Sequence, residues 1–228
     1  MSTVQVDAIN ESTTNAGVTV DGVLIKDNAV NTDTISEKTS GSGVTIDGVL
    51  IKDSEVTSGA GMGQFIKHQT FSSVTEVDID DVFTTTYDNY RVFINVESSA
   101  TKLGKLGFRT GGSSGSDHTT SSLYHQQYRY IALGASGGDT HSGQNANNYF
   151  YLGSFFSTDS AYVVDIMNPF LSKETIILSK GVGTNGTNYS YYGEGAVGNN
   201  DSLTGLRVYA ADSPNLTGSV SVYGYRKA

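Results

Sequence analysis

His68, His118, His125 and His141 are the only histidines among 228 residues, and there is no cysteine. None stands at a paired-ligand spacing such as H-E-x-x-H, so a tetrahedral nitrogen and sulfur metal centre has no local framework. In a three-fold assembly one histidine from each copy could meet on the axis, although solvated loop histidines are the commoner arrangement. Asp78, Asp80 and Asp81 in VDIDDV lack the spaced Asp-x-Asp-x-Asp-Gly loop with a distal Glu that gives calcium its oxygens. Asp139, Asp159, Asp165, Glu174, Glu194, Asp201 and Asp212 are scattered singly, so no pair stands out for two-carboxylate glycoside hydrolysis. The Gly111–Gly115 stretch, GGSSG, has neither a G-x-S-x-G nor a Walker context. No catalytic residue, metal or cofactor is therefore expected.

Tyrosine carries more information. Tyr124, Tyr128, Tyr130, Tyr149, Tyr151, Tyr189, Tyr191 and Tyr192 cluster amid Asn, Gln, Ser and Gly. Aromatic faces beside amides and hydroxyls suit a sugar ring or a protein partner, through apolar contact plus hydrogen bonds. The same residues are also good strand formers that pack a core and keep one polar end, so both roles stand open.

The elements that must position such residues begin with a duplication. GVTVDGVLIKD at Gly17–Asp27 returns as GVTIDGVLIKD at Gly43–Asp53, and Val18 and Val44 are 26 positions apart. A constant period of this size marks stacked or fibrous architectures. Asp21-Gly22 and Asp47-Gly48 are two-residue hairpin turns by their chemistry, because a type I′ turn needs positive φ at both central positions. In that register Val18, Val20, Val23 and Ile25 share one face, as do Val44, Ile46, Val49 and Ile51. A hairpin with one apolar side is marginal alone, and its polar flanks offer no cover. We expect a homotrimeric shaft in which these eight side chains pack about a common axis. The alternative is that both hairpins lie against the C-terminal domain of their own chain.

The chain then reads as an attachment strand at 1–8, the two repeats at 9–56, a Gly/Ser hinge at 57–63 and an antiparallel β-sandwich, jelly-roll-like, at 64–228. Short alternating strands separated by turn clusters support the last assignment, from Gln64–Thr70 through Val82–Tyr87 and Tyr90–Glu97 to Gly218–Tyr225. Tyr90, Val92, Ile94 and Val96 fall on one side of their strand, with Arg91, Phe93 and Asn95 on the other. Gly111–Ser122 and Ala135–Asn148 read as long polar loops. The fold class is all-β. With 27 Gly, 14 Tyr and 16 % charged residues, helix formers are sparse. A net charge of −9 argues against direct nucleic-acid binding, which needs a basic surface. No apolar run reaches membrane-span length, and MSTVQVDAIN has no secretion-signal pattern, so neither membrane insertion nor export by the ordinary route is expected.

TISEKTSGSGVTIDGVLIKDS at Thr34–Ser54 resembles repeated segments of fibre and tail-associated proteins of tailed bacteriophages, particularly phages of aquatic bacteria. MSTVQVDAI is similar to the start of short phage fibre proteins. YDNYRVFINVESSA at Tyr87–Ala100 and LTGLRVYAADSPNLTGSVSVYGYRKA at Leu203–Ala228 resemble the closing β-sandwich of such proteins. The resemblance implies a structural virion protein, a homotrimer fixed by its N-terminal segment to another virion protein and exposed on the particle. It also implies recognition of a host-surface glycan or protein, without catalysis. Within the same setting stands a capsid decoration or head fibre protein. From other classes stand a glycan-degrading tailspike enzyme and a lectin-like module.

Replacing Gly22 or Gly48 with Val places a β-branched residue at positive φ. Each change is expected to lower the melting temperature or disrupt assembly, as read by thermal unfolding and sedimentation. Unchanged values in both variants contradict the turn assignment.

Overall fold

The structure, a computed structural model, describes residues 44–46, 49–52, 55–56, 63–118, 123–133, 139–198 and 201–226. The chain divides into two compact units, Met1–Gly59 and Ala60–Ala228. In the first, β1 (Val44–Ile46), β2 (Val49–Lys52) and β3 (Glu55–Val56) form an antiparallel sheet in that order. Val44 lies opposite Ile51, Thr45 opposite Leu50 and Ile46 opposite Val49, the register that a two-residue connection gives. Asp47 and Gly48, the side chains of Val44, Ile46, Val49 and Ile51, and the whole first copy with Val18, Val20, Asp21, Gly22, Val23 and Ile25 lie outside the described residues. So do the expected strand at 1–8 and, apart from Gly63, the expected hinge.

The second unit is all-β and antiparallel. In chain order its strands are β4 (Gln64–Val74), β5 (Glu76–Ile79), β6 (Tyr87–Ser98), β7 (Lys102–Thr110), β8 (Ser116–Asp117), β9 (Tyr124–Leu133) and β10 (Asp139–Asn147). There follow β11 (Phe150–Phe155), β12 (Ser160–Met167), β13 (Thr175–Thr184), β14 (Asn188–Val197), β15 (Gly205–Ala210) and β16 (Leu216–Arg226). Eight make one sheet in the order β10-β9-β14-β13-β12-β6-β16-β4. The other sheet runs β11-β7-β15-β5, with β8 paired to β7. One contiguous cluster of buried side chains, drawn from both sheets, fills the space between them as in a β-sandwich.

Alternation sets which side chains enter that core. Tyr90, Val92, Ile94 and Val96 of β6 are buried while Phe93 and Asn95 are exposed, the arrangement the sequence leads one to expect. Val220 and Val222 of β16 point inward in the same way, with Tyr223 and Tyr225 on the other side. β13 is different. Its buried positions include Ser179, Gly181 and Gly183, and its exposed ones are Ile176, Leu178, Lys180 and Val182. The reason is close approach: a Cβ at Gly181 would overlap the Tyr162 ring, and one at Gly183 the Phe156 ring.

Three expectations from the sequence need correction. Val82–Tyr87 is not a strand, because Val82 and Phe83 are buried as irregular chain whose N–H groups both donate to the Thr204 carbonyl, at 3.0 and 3.1 Å. The expected loop Ala135–Asn148 contains β10, with Asp139 opposite Ile131 and Gln144 opposite Gln126. An edge strand needs backbone donors and acceptors more than apolar side chains, so DTHSGQNAN gives no periodic signal. The expected loop Gly111–Ser122 holds a 3₁₀ turn at Gly112–Ser114 and then β8. Among the described residues no helix is long and apolar enough to cross a membrane.

Gly181→Ala forces the Tyr162 ring to move within a filled core, a change that costs about 1–3 kcal/mol. Urea denaturation is expected to show that loss, whereas a midpoint equal to wild type contradicts the packing described.

Candidate sheet-face recognition site

Strand register alone assembles the candidate site on the outer face of the eight-stranded sheet. Across β9, β14, β13, β12 and β6, Arg129, Tyr192, Lys180, Val163 and Phe93 form one row. Gln127, Glu194, Leu178, Asp165 and Arg91 form the next. All ten stand opposite in parity to the buried set, and Tyr192 is 46 % exposed. Most of them line a groove of about 750 Å³, and a smaller hollow of about 340 Å³ adjoins it over Phe93, Ala161 and Val182. Phe65, Phe93 and Tyr223 extend the aromatic surface, each phenylalanine ring centred 5.7 Å from the tyrosine ring.

The groove's charges are unevenly committed. Arg91 grips Asp165 with both ends of its fork, Nε to Oδ1 at 2.7 Å and Nη2 to Oδ2 at 2.8 Å. That hydrogen-bonded carboxylate holds the Arg91 guanidinium above its ordinary pKa. The Arg91 guanidinium also lies 5.9 Å from the Tyr225 ring centre. Lys180 and Glu194 form no ion pair among the described residues. Asp165 and Glu194 flank Leu178 in one row, so their strands are two spacings apart, about 9.5 Å.

The tyrosines divide sharply. Tyr124, Tyr151 and Tyr191 are buried, at 1 %, 7 % and 5 % exposure, and serve the core rather than a surface. Tyr130 and Tyr189 pack against that core, and Tyr128 sets its ring 4.4 Å from Tyr151. Tyr149 is half-buried beneath the Lys105 ammonium, which sits 4.2 Å from its ring centre. Of the eight, Tyr192 alone is well exposed. Gln127, Arg129, Lys180 and Glu194 join it although nothing in their local sequence singled them out as ligands. Their signal was parity, legible only once β13 was known to keep its glycines inside.

The other candidate groups are engaged elsewhere. Asp78 and Asp80 lie on the five-stranded sheet, where Arg109 meets them at 3.0 and 2.6 Å and reaches Asp117 at 2.7 Å. Arg207 of β15 also binds Asp78 and Asp117, and these carboxylates, Asp78 foremost, raise its pKa. His118 is buried with Nε2 at 3.2 Å from Asp201, and His68 Nδ1 is 2.8 Å from the Ser221 hydroxyl. His125 is exposed, and the His141 side chain lies outside the described residues. Among the described residues no group of three or more His, Asp or Glu is arranged to hold a metal ion.

Comparison with protein-family models finds no match. Comparison with curated proteins finds no significant similarity.

Burial raises the pKa of Tyr124, Tyr151, Tyr162 and Tyr191 above the usual value of 10.0, and pushes Tyr209 up to about 12. The fold thus favours the neutral phenol, a contribution fully present below pH 10.0 and lost as pH climbs through the raised values. Titration by phenolate absorbance is expected to show that these buried tyrosines ionise only above pH 10.0, together with unfolding. A single class ionising near pH 10 in the folded protein contradicts the assignment.

Proposed function

We propose that the chain is a structural, non-enzymatic virion protein of a tailed phage, a trimeric fibre-type adhesin that meets the host surface with its β-sandwich. The observation that carries this reading is the groove on the eight-stranded sheet, where Tyr192, Lys180, Glu194 and Gln127 stand exposed among apolar side chains. An aromatic ring flanked by hydrogen-bonding groups on a rigid sheet is a recognition surface for a glycan or a protein. In this reading the sandwich is jelly-roll-like, and the two hairpin repeats form the shaft by packing Val18, Val20, Val23, Ile25, Val44, Ile46, Val49 and Ile51 among three copies. The N-terminal segment docks on another virion protein. Further apolar surface on the sandwich, with Ile176 at 42 % and Val182 at 54 % exposure, is consistent with contact to sibling chains or a partner.

The non-enzymatic reading draws support from the way Asp165 is held. Glycoside hydrolysis needs one carboxyl group able to carry a proton to the leaving oxygen. Both oxygens of Asp165 are taken by Arg91, so this carboxylate is committed to an ion pair and unsuited to carry that proton.

The purified full chain is expected to sediment as a trimer at micromolar concentration, to bind host cells and to slow particle adsorption. A stable monomer contradicts the shaft. Failure to bind cells or to compete contradicts the adhesin and favours a decorating role on the capsid.

A further inference from the structure

We infer that the groove on the eight-stranded sheet holds an interior stretch of an extended, uncharged polysaccharide lying across the strands. The inference rests on the attachment reading for its biological setting, and on the groove itself for its chemistry.

Length comes first. The lining runs from Gln127 on β9 to Arg91 on β6, across four strand spacings or roughly 19 Å. A single sugar or one terminal residue would contact only part of that span, whereas a chain crossing the strands can contact all of it. Gly143 of β10 extends the lining toward the sheet edge; it is exposed, and nothing lies within 4 Å of where its Cβ would be. A polymer lying across the strands can run on over this residue and need not present an end to the groove.

Surface chemistry comes second. A pyranose offers an apolar ring face edged by hydroxyls that both donate and accept. Tyr192 and Leu178, 46 % and 41 % exposed, supply apolar contact at the middle of the groove. Lys180 lies opposite Tyr192 and Glu194 opposite Leu178, so a donor and an acceptor stand at diagonal corners around those two side chains. Gln127 beside Glu194 supplies both kinds of group.

Charge decides the ligand class. Three cations, Arg91, Arg129 and Lys180, and two carboxylates, Asp165 and Glu194, line the groove, and Arg91 is paired with Asp165. A surplus of one positive charge is a weak hold on a polyanion, which would also meet both carboxylates and a chain that carries −9. An uncharged saccharide is the ligand whose hydroxyls match this lining without setting charge against those carboxylates.

Calorimetry with the full chain tests the inference, using neutral glucan, mannan and galactan oligosaccharides from the monosaccharide upward, with a polyuronate and a sulfated polysaccharide for comparison. At least one neutral series is expected to bind with affinity that rises with length and levels off once the chain spans the groove. The affinity should be nearly independent of salt. Tyr192→Ala is expected to weaken binding roughly tenfold, and Glu194→Gln to weaken it by a smaller factor. Lys102→Ala, on the other sheet, should leave it unchanged.

Monosaccharide affinity equal to that of the long chains overturns the inference, as does preference for the acidic polymers with steep salt dependence. Binding of none of the neutral series overturns it too. So does a Tyr192→Ala variant that sediments as a smaller oligomer, since a second copy then occupies the face. If the neutral series fail while host-cell binding still depends on Tyr192, the attachment reading stands and this inference falls. If they bind as expected while cells are not bound, the inference stands and the attachment reading falls.

Discussion

Large rings packed against small residues govern this sandwich. Tyr162 of the neighbouring strand sits over Gly181, and Phe156 sits over Gly183, so β13 must be narrow on its inner side where those two rings lie. The rings also touch one another, with Phe155 and Tyr162 centred 5.6 Å apart and Phe156 and Tyr189 stacked at 5.2 Å. Burying so many tyrosines is tolerable because their hydroxyls find partners. Tyr162 donates to the Ser154 carbonyl at 2.7 Å, and Tyr124 accepts from the Phe108 N–H at 3.1 Å. Tyr90 accepts from the Thr84 N–H at 2.8 Å and so ties down the irregular segment behind Val82 and Phe83.

That packing determines the outside of the molecule as well. Beyond Ile177, β13 gives its inner face to Ser179, Gly181 and Gly183, while Ile176, Leu178, Lys180 and Val182 stand on its outer face. β12 and β14 continue the surface with Val163, Asp165, Tyr192 and Glu194 in register. The result is a broad, stiff face whose amphipathic character follows from the core behind it. The five-stranded sheet solves the same problem differently. Its outer face is locked by Arg109 and Arg207, which share Asp78 and Asp117 between β5, β7, β8 and β15. Arg109 is only 7 % exposed at its side chain, so these pairs are less open to solvent screening than surface bridges. One sheet thus closes its surface with ion pairs while the other leaves aromatic and apolar groups in contact with water.

How far the sequence reveals this depends on the strand. In β6 and β16 apolar and polar residues alternate cleanly, and the inward set can be read directly from Tyr90 to Val96 and from Val220 to Val222. In β13 Ile176, Ile177 and Leu178 are consecutive apolar residues, so the pattern leaves its inner face open, and the rings on other strands, brought close by tertiary structure, decide it. The tyrosines leave a related choice open, since a phenol suits a buried hydrogen bond as well as a surface contact. Composition placed both options before Tyr124, Tyr151, Tyr191 and Tyr192, and burial sent three of the four inside. β10 left no trace in the pattern, because edge pairing is a property of the backbone. The proposed groove draws residues from six strands, and no local window of sequence could have joined them.

Recognition depends on which side of the large sheet is free to work, and hydroxyl-radical footprinting of the full chain measures this residue by residue. In the free protein Tyr192, Leu178 and Phe93 are predicted to be oxidised readily, while Tyr124, Tyr151, Tyr162 and Tyr191 are spared. On cells to which the protein is bound, protection is predicted to appear at Tyr192 and Leu178. Rapid oxidation of the four buried tyrosines, or protection confined to the five-stranded sheet, would contradict the account.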